Sequence, residues 1–290
     1  MGLGNLHPIE HGFTTGRGGS SLVNIEQGHS LVIPKDLIGV IRKLQLTTNL
    51  KLVLDAGDAS SYNAAVQTDK WLDRAGSGYD FFRGSGTGVD AADPTFNGTA
   101  GGLSSAEYWG FDGGDYFTYD TTNESWMENI HKDNAKFSIF SWFYIPSSGS
   151  AFNFCGTDNN GFNGFHLRAA ATTFLVLRVS NATGAALTLT GTNAVPATRW
   201  NCAAVTLDEA VGASGAAQFL NGATETFTST YSTPSAAAAS FTMNVAARGN
   251  AGVPPASGAR LGGIAIWEGV ALTAAQLTAI YTATRGRYGV

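Results

Sequence analysis

The sequence predicts an all-β protein: two sheets packed as a sandwich or jelly roll, closed by a short C-terminal helix and preceded by an N-terminal arm. Three observations carry this. Through the second half, short apolar runs recur at about the 8–12-residue spacing of a sandwich, with turn signals between them. The composition combines 37 Gly with only 13% charged residues, which suits many strands joined by tight turns. It is also poor in the Glu, Lys and Leu that long helices need. Finally, the clearest helix signals, spacing together with caps, lie in the last residues of the chain.

Taken in order, residues 1–45 read as an arm or anchoring segment and 46–290 as the sandwich domain. Residues 1–21 are rich in Gly, Ser and Thr, include His7 and His11, and show no periodicity. The stretch Gly16-Arg17-Gly18-Gly19-Ser20-Ser21 is flexible by composition and lacks the Gly-Lys-Ser/Thr ending of a phosphate-cradling loop. Residues 30–33 are a short strand candidate. Residues 34–44 suit a helix with Pro34 at its first position and Leu37, Ile41 and Leu44 on one face. Gly39 opposes that helix, and an extended segment with alternating apolar residues competes with it.

Residues 50–54 read as a strand and 84–106, rich in Gly, Ser, Thr and Asn, as a long connection. Phe111-Asp112-Gly113-Gly114-Asp115-Tyr116-Phe117-Thr118-Tyr119 is a tight Gly-Gly turn delivering the chain into an aromatic strand. The apolar run 137–145 is closed by Pro146. Strand candidates follow at 162–167, 173–179, 186–189, 200–207, 216–220 and 241–245. They are separated by turns such as Asn159-Asn160-Gly161 and Leu220-Asn221-Gly222. Asn-Gly is the strongest short hairpin signal, because both central residues of that turn need positive φ. After 259–267, Thr273 is an N-cap and Gln276 completes a capping box. Leu272 and Leu277 form a hydrophobic staple. Leu277, Ile280 and Tyr281 make one apolar face, and Gly286 is placed to end the helix in the left-handed conformation.

The net charge of −5, with no concentrated basic patch, argues against nucleic acid as a partner. Arg285 and Arg287 read as cations complementing a helix end. No apolar run approaches the ~18 residues of a membrane span, and residues 1–30 show no signal peptide. A chain kept in a reducing compartment is the expectation, with Cys155 and Cys202 as buried free thiols. The sequons at Asn97, Asn123 and Asn181 are then chance hits.

Four stretches in order resemble the laminin-G-like and concanavalin-A-like jelly-roll superfamily. They are Phe111-Asp112-Gly113 with Asp115-Tyr116, the Phe137-Ser138 to Trp142 strand, Trp200-Asn201-Cys202-Ala203-Ala204-Val205-Thr206-Leu207-Asp208, and the Leu272-Thr273 to Leu277 helix start. The last departs from the family in carrying Thr273 and Gln276 at the capping places. A closer resemblance, to phage-type members, lies in Leu50-Lys51-Leu52-Val53-Leu54-Asp55-Ala56-Gly57 with Ser60-Ser61-Tyr62. Trp71-Leu72-Asp73-Arg74-Ala75-Gly76-Ser77-Gly78 extends it. The resemblance covers roughly residues 50–290. It implies a non-enzymatic structural protein on a phage virion surface, with capsid decoration first. The alternatives it implies are a tail- or fibre-associated protein, or an adhesin-type module for a host glycan. Expected partners are other virion proteins and further copies of the chain, in a trimer, held by the N-terminal segment.

The chemistry-bearing residues follow from that. Many laminin-G-like domains bind calcium at the sandwich rim, which makes Asp112 and Asp115, with Asp55 and Asp58, the calcium candidates. Calcium needs six to eight oxygens, and turn aspartates commonly bond their own backbone instead, so no cofactor is expected. For a glycan or protein contact, the exposed aromatic candidates are Tyr108, Trp109 and Trp126, whereas Trp142, Trp200 and Trp267 fall in strands as core. Glu124 and Glu128, four residues apart, read as a solvated turn. No catalytic carboxylate string, Gly-x-Ser-x-Gly elbow or zinc-type His spacing occurs, so no catalytic residue is assigned.

Overall fold

The structure, a computed structural model, describes residues 24–25, 29–30, 35–159, 161–170 and 174–290. The chain divides into two compact units, Met1–Ile33 and Pro34–Val290. In the first, β1 (Asn24–Ile25) pairs antiparallel with β2 (His29–Ser30). Of the strand expected at 30–33, Ser30 falls in β2, as its last residue. Residues 31–34, including Pro34, and the Gly-rich stretch 16–21 lie outside the described residues.

In the second unit, α1 (Leu37–Lys43) is followed by β3 (Leu50–Asp55), β4 (Lys70–Trp71), β5 (Phe81–Arg83), β6 (Thr95–Asn97), β7 (Tyr108–Gly110) and β8 (Phe117–Tyr119). A single helical turn, α2 (Ser125–Asn129), precedes β9 (Lys136–Tyr144), β10 (Phe152–Gly156), β11 (Gly164–Ala169), β12 (Leu175–Asn181) and β13 (Gly184–Gly191). Then come β14 (Trp200–Asp208), β15 (Ala216–Leu220), β16 (Ala223–Glu225), β17 (Phe227–Tyr231), β18 (Asn244–Val245) and β19 (Arg260–Glu268). The unit ends in α3 (Ala274–Thr284) and a 3₁₀ turn, Arg285–Tyr288.

These strands form two antiparallel sheets. One is nine-stranded, in the order β17-β13-β12-β11-β10-β18-β8-β5-β4. The other is eight-stranded, β16-β15-β14-β9-β19-β7-β6, with β3 also paired to β19. The sheets share one core, in which Trp71, Trp109, Phe117, Phe137, Phe143, Phe154, Phe165 and Leu177 are fully buried. Each such side chain contributes roughly 1.5–3 kcal/mol by leaving water.

A second apolar layer lies on the other face of the eight-stranded sheet. Strand alternation sends Phe140 and Trp142 of β9, Cys202 and Ala204 of β14, and Trp267 of β19 outward. The apolar faces of α1 and α3 cover them. This is why β9 is buried along almost its whole length. Cys155 lies in the inter-sheet core and Cys202 in the outer layer, both buried free thiols.

The domain boundary expected at residue 46 moves towards the N-terminus. Leu37, Ile38, Val40 and Ile41 of α1 are buried in the outer layer, so this helix belongs to the sandwich. It begins at Leu37, capped by Asp36, whose carboxylate accepts from Gly39 N at 2.9 Å. Gly39 is tolerated inside it because the apolar face is buried against the sheet.

The Asn221-Gly222 turn between β15 and β16 has φ of 53° and 82°, as its hairpin signal required. The capping box of α3 also forms, with Thr273 Oγ1 accepting from Gln276 N and Gln276 Oε1 from Thr273 N. Its end differs from expectation: the chain continues into the 3₁₀ turn, and Gly289, not Gly286, takes the left-handed conformation (φ 71°). The connection 84–106 contains β6, and β10, β16 and β17 carried too little pattern to be found in advance. No helix of the described residues is long and apolar enough to cross a membrane.

Candidate functional site

The turn that leads into β8 is locked by its own aspartates. Asp112 N donates to Asp115 Oδ2 at 2.8 Å, and Gly114 N donates to Asp112 Oδ1 at 3.0 Å. Gly113 adopts φ 115°, which excludes most side chains from the turn. Asp115 is buried while Asp112 is exposed. Burial pushes the Asp115 carboxyl up to about 6, because the charged form loses hydration that the single amide bond only partly replaces.

The turn forms one wall of an open cleft of about 450 Å³. Register brings the rest of the cleft together from distant parts of the chain. Thr95, Gly110 and Arg260 of β6, β7 and β19 line it side by side, and Tyr144 of β9 and Trp200 of β14 continue the row beyond it. Gly110 brings no side chain to this row, and a Cβ there would meet Asn97 Nδ2 at 3.1 Å. Arg260 spans the gap, its guanidinium 4.6 Å from the Tyr108 ring centre and 4.5 Å from that of Tyr144. Cation–π contact on both rings holds the guanidinium in place. Asn97, paired with Tyr108, adds an amide, and Asp90 and Asp93 close the opposite side. The Ser85 hydroxyl bond holds Asp90 below the ordinary carboxylate range, whereas burial raises Asp93, with Arg83 opposing from 3.9 Å.

Of the residues singled out in the sequence, Tyr108, Asp112 and Asp115 meet in this cleft. Trp109 and Trp126 do not, and for these two the expectation of an exposed platform is corrected. Trp109 alternates with Tyr108 along β7, so its ring points between the sheets, at 0% exposure, against Tyr62 and Phe117. Trp126 is 3% exposed, buried by α2 against Tyr79. Asp90, Asp93, Asn97 and Arg260 were not singled out as site residues because nothing local marks them: strand register places Asn97 and Arg260, and the connection from β5 to β6 brings Asp90 and Asp93.

The aspartates named as calcium candidates are engaged in other bonds. Asp112 Oδ1 and Asp115 Oδ2 are committed to backbone amides, and Asp55 is committed to Leu37 N, Gly57 N and Arg287. Asp58 bonds Ser60 N and Arg74. Among the described residues no three His, Cys, Asp or Glu side chains converge as ligands. Glu124 accepts from Tyr119 Oη at 2.9 Å, and Glu128 accepts from Asn123 Nδ2 and Ala239 N, so each is committed to holding loops.

The residues behind the phage-type resemblance also have structural work. Asp73 accepts from Val53 N at 2.9 Å, and Ser61 Oγ donates to Leu72 O at 2.7 Å while accepting from Asp55 N. They staple the segment after β3 back onto that strand.

Two antiparallel sheets in this order, with a polar cleft at one rim, define a lectin-like jelly-roll fold. A model of the concanavalin A-like lectin/glucanase superfamily matches residues 111–278, more than half of the chain, and the chain belongs to that family. Similar solved structures include botulinum neurotoxin type C, described with two ganglioside molecules (12% identity, TM-score 0.55, 83% of this chain and 53% of that one). The binding domain of botulinum neurotoxin DC in complex with rat synaptotagmin II matches at 11% identity and TM-score 0.54, over 82% and 52%. Trypanosoma rangeli sialidase in complex with sialic acid matches at 10% identity and TM-score 0.53, over 91% and 36%. The chain thus spans about half the length of the toxin chains and about a third of the sialidase. At these identities the likeness is one of fold. No curated protein matches the chain.

Proposed function

We propose that the domain is a non-catalytic recognition module that holds a glycan in the Tyr108–Arg260 cleft and is displayed on a phage virion, in capsid decoration. The observation that carries the glycan reading is the composition of the cleft: an aromatic ring, a fixed guanidinium, an amide and carboxylates face one open space. Sugars are bound by such sets, with rings against C–H faces and planar polar groups on hydroxyls. The neighbours named for ganglioside and sialic acid complexes support the same reading.

The virion placement is supported by the resemblance of residues 50–62 and 71–78 to phage-type members. In that setting the N-terminal segment anchors the module, and many copies on one particle raise a weak glycan affinity by avidity. The commitment of Glu124 and Glu128 to structural bonds supports a passive role.

A glycan array probed with the full chain tests the cleft. Wild type is expected to retain a defined set of glycans, with Tyr108→Ala and Asn97→Ala each losing at least about tenfold in affinity, the worth of one or two good contacts. Equal retention by both variants overturns the site. Release of reducing sugar from a bound polymer overturns the passive reading, and absence of the chain from purified particles overturns the placement.

A further inference from the structure

Among the described residues, the outer face of the nine-stranded sheet gathers the cations Arg168, Arg178 and Arg248 around the carboxylate of Asp158. Phe165 and Leu167 of β11 point into the inter-sheet core, so His166 and Arg168 between and beside them point outward. His166 pairs across strands with Arg178 of β12 and with Gly156 of β10, and Gly156 pairs in turn with Asn244 of β18. Arg248 follows β18, is 3% exposed, and its carbonyl accepts from Asn244 Nδ2 at 2.8 Å.

Among the described residues the carboxylate that acts on Arg248 is Asp158, and its two oxygens are hydrogen-bonded to His166 and Ser180, not to Arg248. Oδ1 bonds His166 Nδ1 at 2.5 Å, and Oδ2 accepts from Ser180 Oγ at 2.5 Å. Arg178 Nε donates to that same hydroxyl at 3.0 Å. Arg248 forms no ion pair among the described residues, and its Nε and Nη1, both buried, have no acceptor; nor does the buried Nε of Arg168.

Burying a guanidinium without a counter-charge costs several kcal/mol, and natural proteins keep such groups paired or hydrogen-bonded. Burial, with Arg168 nearby, lowers the Arg248 guanidinium to about 10. Arg168 and Arg178 are partly exposed, which leaves the cluster a way in from solvent. Unsatisfied N–H donors on two neighbouring guanidinium groups define the complement they need: an acceptor-rich anion, since arginine pairs best with carboxylate and phosphate oxygens.

We propose that Arg248, with Arg168 beside it, forms an oxyanion site on the outer face of the nine-stranded sheet, built for one carboxylate-, sulfate- or phosphate-type group. It lies on the opposite sheet from the Tyr108–Arg260 cleft and does not depend on the glycan reading. The Asp158–His166–Ser180 chain shapes it by holding His166 over Gly156, where a Cβ would sit 2.8 Å from the His166 Cβ.

The test is calorimetric titration of the full chain with sodium phosphate, sodium sulfate and sodium glucuronate, each balanced with sodium chloride to constant ionic strength. Saturable binding of at least one anion is expected. Arg248→Met should abolish it, and Arg168→Gln should weaken it at least about fivefold. A response to glucuronate alone identifies an acidic sugar as the source, and a response to phosphate or sulfate alone identifies a tetrahedral ester. If no anion binds saturably above the chloride control, the proposal fails. It also fails if Arg248→Met, with native circular dichroism, binds as wild type does. Should Arg248→Met not fold, the partly exposed Arg168→Gln decides, and unchanged binding overturns the site.

Discussion

Arg287 Nη1 donates to Asp55 Oδ1 at 2.6 Å, and both side chains are buried. Asp55 ends β3, and its second oxygen accepts from Leu37 N at 2.8 Å, at the start of α1. One carboxylate therefore ties together the first helix, the strand beside β19 and the turn that ends the chain. Arg285 and Arg287 read from the sequence as cations complementing a helix end; both sit in the last turn, and Arg287 is also the buried partner of this clasp.

Breaking the pair from one side leaves a buried charge unmatched, which typically costs 3–5 kcal/mol. Arg287→Ala is expected to destabilise the fold by about that amount in urea or guanidinium unfolding. A loss below about 1 kcal/mol would show that solvent reaches the pair and that the clasp is incidental.

Gly57 lies directly beneath the guanidinium: a Cβ there would sit 2.3 Å from Arg287 Nη2 and 2.7 Å from Cζ. Gly57→Ala should therefore cost about 1–3 kcal/mol by overpacking in the wild-type chain. In an Arg287→Ala background most of that cost should vanish, since the clashing group is gone. Additive losses in the double-mutant cycle would place the strain elsewhere.

The C-terminal segment lies over the outer layer through Trp142, with Tyr288 stacked at 4.4 Å and 19° and Tyr281 at 5.6 Å and 17°. Thr284 Oγ1 accepts from Trp142 Nε1 at 2.9 Å. Leu277, 2% exposed, completes this contact. Leu277→Asp buries an unpaired carboxylate and should destabilise by more than about 3 kcal/mol. An unchanged melting temperature would detach the helix from the sheet.

Asp115 makes stability depend on pH in a definite direction. Its carboxyl is raised from the ordinary 3.8 to about 6 in the folded protein, so the folded state holds its proton more tightly than the unfolded chain does. The stabilisation it supplies is complete below about 3.8 and is lost as pH rises through about 6. Asp115→Asn keeps an oxygen for Asp112 N but cannot titrate. Between pH 4 and 6, unfolding free energy should therefore fall relative to the variant as pH rises. Parallel profiles for the two proteins would show that Asp115 is not desolvated.

The sequence by itself determined what depends on neighbours along the chain. Asn221-Gly222 had to make a hairpin because both residues accept positive φ. Thr273 and Gln276 had to cap α3 because their side chains reach each other's backbone. Long apolar runs likewise made β9, β14 and β19 legible. What the tertiary structure decided was which face each strand residue received and what covered it. Tyr108 and Trp109 are adjacent aromatics of equal promise, yet one lines the cleft and the other fills the core, because strand neighbours point to opposite faces and only pairing with β6 and β19 says which face is covered. The same holds for Arg260 at the cleft, Arg287 against Asp55 and Arg248 over the nine-stranded sheet. Their environments are made of residues far away in the chain, and that energy exists only once the sheets have closed.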